Sequence, residues 1–177
     1  MMTLPLCVLL AVLPGSVLKP VREIAEGVVP PPGFVMTEDR QKHGGAIISK
    51  ELHRHWEGPN GIQMTLAFDD TEAIDSYGVA EQLHYAVEQT KQLYPAETYE
   101  AARIFVVNKR EWILIRSRGD YHGTKYHHFI VLTQLQGQYI TLHFTGADET
   151  RQEIFGYIEM VMRQVSGAKP DDPIRPL

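Results

Sequence analysis

The feature that most constrains this chain is a strict two-residue alternation on either side of the turn Gly58-Pro59-Asn60-Gly61. Ile62, Met64, Leu66 and Phe68 alternate with Gln63, Thr65, Ala67 and Asp69, as side chains do on a strand with one buried face. An Asn-Gly pair supplies the positive φ angles of a tight hairpin turn. Before it, Ile48, Leu52 and Trp56 alternate with Ser49, Glu51, His53 and His55. The two segments therefore predict an antiparallel hairpin with one apolar and one polar face.

Beyond Asp70 the period changes. Ile74, Tyr77, Ala80, Leu83, Val87, Thr90 and Tyr94 recur at steps of three and four, which places one apolar stripe on a helix that Pro95 ends. Two further hairpins are expected. Residues 102–107 turn through Asn108-Lys109-Arg110 into 112–118, and 126–135 turn through Gln136-Gly137 into 138–144; both are rich in β-branched and aromatic residues. A last helix has Thr150 and Glu153 at capping-box spacing, a face of Ile154, Phe155, Ile158, Val161, Met162 and Val165, and Gly167 to close it. The expected class is α+β: an antiparallel sheet of about six strands covered by two amphipathic helices, in the order ββ-α-ββββ-α.

Residues 33–167 are expected to form one domain, since a chain of 177 residues with 44% hydrophobic and 22% charged side chains can bury one sizeable core. Residues 1–18 carry no charged side chain and include the run Leu4, Leu6, Val8 to Leu13, an apolar stretch of signal-peptide length. No Lys or Arg precedes it, and Pro14-Gly15-Ser16 is a poor cleavage site. A buried helix is the weaker reading there, because Pro5, Pro14 and Gly15 interrupt it. Export to the periplasm or beyond is thus expected, with no transmembrane segment in the mature protein. Residues 19–32, ending in Pro30-Pro31-Pro32, read as a linker, and residues 168–177, with Pro170, Pro173 and Pro176, as a frayed tail.

Composition narrows the function. A net charge of −5 without a basic run argues against nucleic acid, which demands clustered Lys and Arg. Cys7 is the only cysteine and lies in the apolar segment, so the mature protein has no thiol nucleophile and no cysteine-based zinc site. No Gly-x-Ser-x-Gly elbow is present. Gly44-Gly45 and Gly119 are lone turn glycines rather than a phosphate loop. Asp69-Asp70 and Asp171-Asp172 suit capping and solubility better than acid–base work. No cofactor is called for.

Two groups of residues could carry function. Arg116, Arg118, Asp120, Tyr121 and His122 form the polar end of a hairpin, a candidate recognition tip for a protein partner. Eight histidines raise a metal alternative. His53 and His55 are two apart on a strand and share a face with Glu51, so the pair can chelate zinc or copper once a third ligand arrives. An ordinary solvated strand face is the plainer reading of the same residues. His127 and His128 point to opposite faces, and His128, in step with Ile130 and Leu132, reads as a satisfied buried imidazole.

The Pro-Pro-Gly-Phe segment at 31–34, the element order, the Gly137-Gln138-Tyr139 turn and the closing amphipathic helix together resemble the PsbP-like superfamily, which includes DcrB-like bacterial envelope proteins. The resemblance covers 33–167 and is one of order and spacing. It implies an α/β/α sandwich without a catalytic role, working as an envelope accessory, an assembly factor or a binder of another protein. It brings no catalytic residue with it, and the lipobox cysteine of many bacterial members is absent. The expected function is therefore a non-enzymatic exported protein that binds another protein or a small ligand through its sheet or the loop at 119–126.

Overall fold

The structure, a computed structural model, describes residues 20–42, 51–69 and 78–177. The apolar segment at 1–18, and with it the export signal, lies outside the described residues. A single antiparallel sheet runs through the molecule. Its strands are β1 (Val35–Lys42), β2 (Glu51–Glu57), β3 (Gln63–Asp69), β4 (Thr98–Val107), β5 (Arg110–Tyr121), β6 (Thr124–Leu135), β7 (Gln138–Ala147) and β8 (Ile174–Pro176). Their spatial order is β1-β2-β3-β7-β6-β5-β4-β8. Three helices complete the chain: α1 (Val21–Glu26), α2 (Val79–Leu93) and α3 (Arg151–Ser166). The fold is α+β as expected.

The sheet has eight strands rather than about six. The inner elements follow the expected order, β2β3-α2-β4β5β6β7-α3, and the additions are the outermost strands. β1 reads Val-Met-Thr-Glu-Asp-Arg-Gln-Lys, a sequence with no apolar alternation to announce a strand. β8 pairs three residues with Phe105, Val106 and Val107 in the segment expected to fray. The segment expected to be a linker also differs. α1 begins there, and Val21, Ala25 and Val28 are buried in the main core. Arg54 donates to the Glu26 carbonyl at 2.7 Å and Val29 N–H to Gln164 Oε1 at 3.2 Å, which ties α1 to the sheet and to α3.

Tight turns set the register. Asn108 and Lys109, His122 and Gly123, and Gln136 and Gly137 all have positive φ and make two-residue hairpins that match strand twist, whereas Asn60 and Gly61, also at positive φ, lie in the longer 58–62 connection with its 3₁₀ turn at Pro59–Gly61. The loop expected at 119–126 is in fact the end of a long hairpin, with Tyr121 opposite Thr124.

The two faces of the sheet are covered unequally. On the front face Trp56, Leu66, Trp112, Phe129, Leu142 and Phe144 pack under α1 and α3, whose Ile154, Ile158, Val161, Met162 and Val165 are buried. Trp112 Nε1 donates to Ser166 Oγ at 2.9 Å inside this core. The capping box does not form. Thr150 Oγ1 donates to the Ala147 carbonyl at 2.8 Å, and Glu153 instead accepts from Tyr157 and Asn60, because a 3₁₀ turn at Asp148–Thr150 leads into α3. Gly167, at φ 61°, ends α3 as expected.

On the back face, α2 sets Val79, Leu83, Ala86 and Val87 on Ile113, Ile115, Ile130 and Leu132, covering β4, β5 and β6. It stops at Tyr94, ahead of Pro95. Among the described residues no helix covers the back of β2, β3 and β7, which carries His53, His55, Thr65, His143 and Thr145. No helix among the described residues is long and apolar enough to cross a membrane.

Candidate functional site

The candidate site lies where α2 ends. After Tyr94 the chain turns, with Glu97 N–H donating to the Tyr94 carbonyl at 3.0 Å, and aims the Glu97 side chain at the back of the sheet. Its carboxylate, 7% exposed, accepts from three donors. Ser117 Oγ on β5 lies at 2.5 Å, Tyr126 OH on β6 at 3.0 Å and His128 Nδ1 at 3.0 Å. Burial alone would raise the carboxyl's pKa, but the bonds from His128, Ser117 and Tyr126 and the nearby His128 charge outweigh it, so the pKa falls below the usual value.

His128 continues the chain. Its Nε2 lies 3.0 Å from His143 Nδ1 on β7, the two rings stack with centroids 5.3 Å apart, and the Tyr94 ring meets His128 edge-on at 4.6 Å. An ionised carboxylate only accepts, so His128 Nδ1 bears the hydrogen. In the neutral pair His143 Nδ1 must then donate to His128 Nε2, and His143 is left with Nε2 as its lone-pair nitrogen. The pKa of His143 is pushed down to about 4, first by burial and then by His128 and His53, with Glu97 opposing. Burial and Glu97 also raise the pKa of Tyr94.

Tyr94, Glu97, Tyr126, His128 and His143 line a cavity of about 420 Å³ that His53, Gln63, Thr65, Ala67 and Thr145 complete. In register, His53 faces Ala67 across β2 and β3, and His55 faces Thr65, which in turn faces His143. His55 Nδ1 is 2.9 Å from Thr65 Oγ1. The metal candidates thus divide: His53 joins the cavity, His55 is engaged by Thr65, and the Glu51 side chain lies outside the described residues. Among the described residues no three His, Cys, Asp or Glu side chains already form a coordination sphere.

The hairpin-tip candidates are not gathered into one site. Arg116 pairs with Glu100 at 2.6 Å. Arg118 forks onto Asp148, at 2.6 and 3.2 Å. Both pairs lie on the front face around His127, which is 2% exposed and 3.0 Å from Asp148 Oδ1 through Nε2. Burial chiefly lowers the His127 pKa, against the pull of Asp148 and Glu100. Asp120 accepts from Gly123 N–H at 2.7 Å and fixes the turn; His122 lies in that turn at φ 51°; the Tyr121 side chain is outside the described residues.

Two solved structures share this fold. One is the Pseudomonas aeruginosa protein of unknown function PA94, with a TM-score of 0.51 at 8% identity, covering 74% of this chain and 94% of that one. The other is the solution structure of cyanobacterial PsbP (CyanoP) from Synechocystis sp. PCC 6803, with a TM-score of 0.52 at 11% identity, covering 76% of this chain and 81% of that one. The fold is PsbP-like. No protein-family model and no curated protein matches the sequence.

The order of the strands in the sheet explains why the site was hard to foresee. Glu97, Ser117, Tyr126, His128 and His143 come from three strands and one turn, and only His128 stood out in sequence. The available signal for His143 was its place in step with Tyr139 and Thr141, on the side of β7 opposite Ile140, Leu142 and Phe144.

Proposed function

We propose that this protein is a non-enzymatic accessory protein of the bacterial envelope, of the DcrB-like kind, which is exported and binds another protein or a small ligand through the half of its sheet that α2 leaves open. The observation that carries this reading is the unequal covering of the two faces. Among the described residues the front is covered by α1 and α3, whereas the back of β2, β3 and β7 presents a polar surface with a cavity sunk into it. A preformed cavity with a few converging polar groups is the usual setting of a binding site. The paired Arg116 and Arg118 make the hairpin tip the weaker docking point, because their charges are already matched by Glu100 and Asp148.

A photo-crosslinking side chain placed at Thr65 in the living cell tests this, with one at Met160, exposed on α3, as the control. Expected is one dominant adduct from Thr65, absent from Met160, together with a processed N-terminus in the exported fraction. Equal adducts from both positions, or full-length protein confined to the cytoplasm, would overturn the reading.

A further inference from the structure

We propose that His53 and His143 together hold a divalent transition-metal ion of the zinc class in the cavity beside α2. This goes beyond the binding role above and does not depend on any partner. It also differs from the pairing that strand spacing suggests, since His143 replaces His55.

The argument starts from orientation. A metal-binding imidazole needs its second nitrogen fixed by an outer group, most often a carboxylate or another hydrogen-bonded acceptor. His143 has that arrangement, extended by one ring: Nδ1 is committed to His128 Nε2 at 3.0 Å, and His128 Nδ1 is committed to Glu97 at 3.0 Å. In the neutral pair the lone pair of His143 is therefore on Nε2, the nitrogen away from His128. Glu97 is saturated by Ser117, Tyr126 and His128, so it does not reach for the ion, yet it leaves a negative charge behind the two rings.

His53 supplies the second nitrogen. It lies on β2, the strand beyond β3, and the residue opposite it on β3 is Ala67. Ala67, whose side chain is a single methyl group, also lines the cavity. Both imidazoles line the same cavity. His55, whose Nδ1 lies 2.9 Å from Thr65 Oγ1, is not part of the cavity lining. The described lining of the cavity contains neither lysine nor arginine, so nothing in it repels a cation.

Two imidazoles satisfy half of a tetrahedral zinc sphere and leave two positions to water or to an incoming ligand. The ion would be exchangeable, with an open face toward solvent. Neutral imidazole is a ligand that suits zinc and copper and does not suit magnesium or calcium.

The test is calorimetric titration of the purified full chain with Zn2+ alone at neutral pH, with Mg2+ as the comparison ion. Expected is saturation at one equivalent of Zn2+, with no heat from Mg2+. His53→Ala and His143→Ala should each weaken binding by roughly tenfold or more, and His55→Ala should leave it unchanged. Because His143→Ala removes a hydrogen bond inside the fold, the half-buried His53 gives the cleaner variant. Nitrogen NMR of the histidine rings adds a readout that unfolding would not mimic, a Zn2+-dependent shift at His143 Nε2 with His128 still bonded to Glu97. Absence of saturable Zn2+ binding in the parent, or binding that survives His53→Ala, would overturn the proposal, whatever the cross-linking at Thr65 gives.

Discussion

The ring of Tyr126 lies across Gly119, so close that a Cβ at Gly119 would stand 2.2 Å from the phenol oxygen. The two residues are opposite each other on β5 and β6, and the absent side chain lets the Tyr126 hydroxyl reach Glu97 at 3.0 Å. A lone glycine in a strand often marks such a close approach.

Gly119→Ala is therefore expected to push Tyr126 off the sheet and to break its bond to Glu97. A loss of about 1–3 kcal/mol follows from overpacking. Urea unfolding monitored by Tyr and Trp fluorescence measures it. Gly119→Ala in a Tyr126→Phe background should cost nearly as much, since the clash is with the ring. A fully tolerated alanine would show that the ring does not lie there.

Glu97→Ala should be more damaging than Glu97→Gln. Alanine leaves Ser117, Tyr126 and His128 without their common acceptor in a site where the carboxylate is 7% exposed, and hydrogen bonds to a charged group are each worth about 1.5–3 kcal/mol. Glutamine keeps one acceptor oxygen. The expected order of melting temperatures is parent, Glu97→Gln, Glu97→Ala, read by calorimetry; equal melting temperatures for all three would mean that the carboxylate anchors nothing.

Acid should weaken the fold in a defined window. The pKa of His143 is about 4 when folded, against 6.5 for the free side chain, so the unfolded chain takes up that proton first as pH falls. Stability from this group is complete above about pH 6.5, declines between 6.5 and 4 and is flat below, a loss of about 3 kcal/mol by linkage. The lowered His127 acts in the same direction. Glu97, lowered from 4.5, adds stability that is present above the unfolded value and lost as pH falls through its folded pKa. Urea midpoints at pH 7, 5.5 and 4 should therefore fall steadily. A midpoint that holds constant down to pH 4 would contradict the burial of His143.

Ala25→Asp tests whether residues 20–32 belong to the fold. Ala25, on α1, is fully buried, and a carboxylate placed there without a partner should destabilise by about 3 kcal/mol or more. The same change in a solvated linker would alter nothing, so the thermal midpoint alone decides the matter.

Legibility followed burial. α3 could be read from its stripe because Ile154, Ile158, Val161, Met162 and Val165 all face one core, and the hairpin at Asn60-Gly61 could be read because alternation and turn chemistry agree. α1 could not, since in six residues it buries only Val21 and Ala25, too few to show a period. β1 and β8 could not, since neither has a patterned face. His127 and His128 were rightly set on opposite sides of β6, but the bond from His128 to Glu97 spans 31 positions and that to His143 spans 15. Such a network arises only once β5, β6 and β7 are side by side, and no local pattern announces it.

The three residues of β8 have a consequence for how these molecules meet one another. Without them β4 would present a row of bare amide and carbonyl groups to any extended segment that came near. β8 occupies that row over Phe105, Val106 and Val107, and Leu177 N–H takes the Ile104 carbonyl at 3.0 Å. Pro176, within β8, has no N–H to offer a further strand. β8 thus acts as a stopper over the stretch of β4 that it covers, a strand too short and too proline-rich to template another.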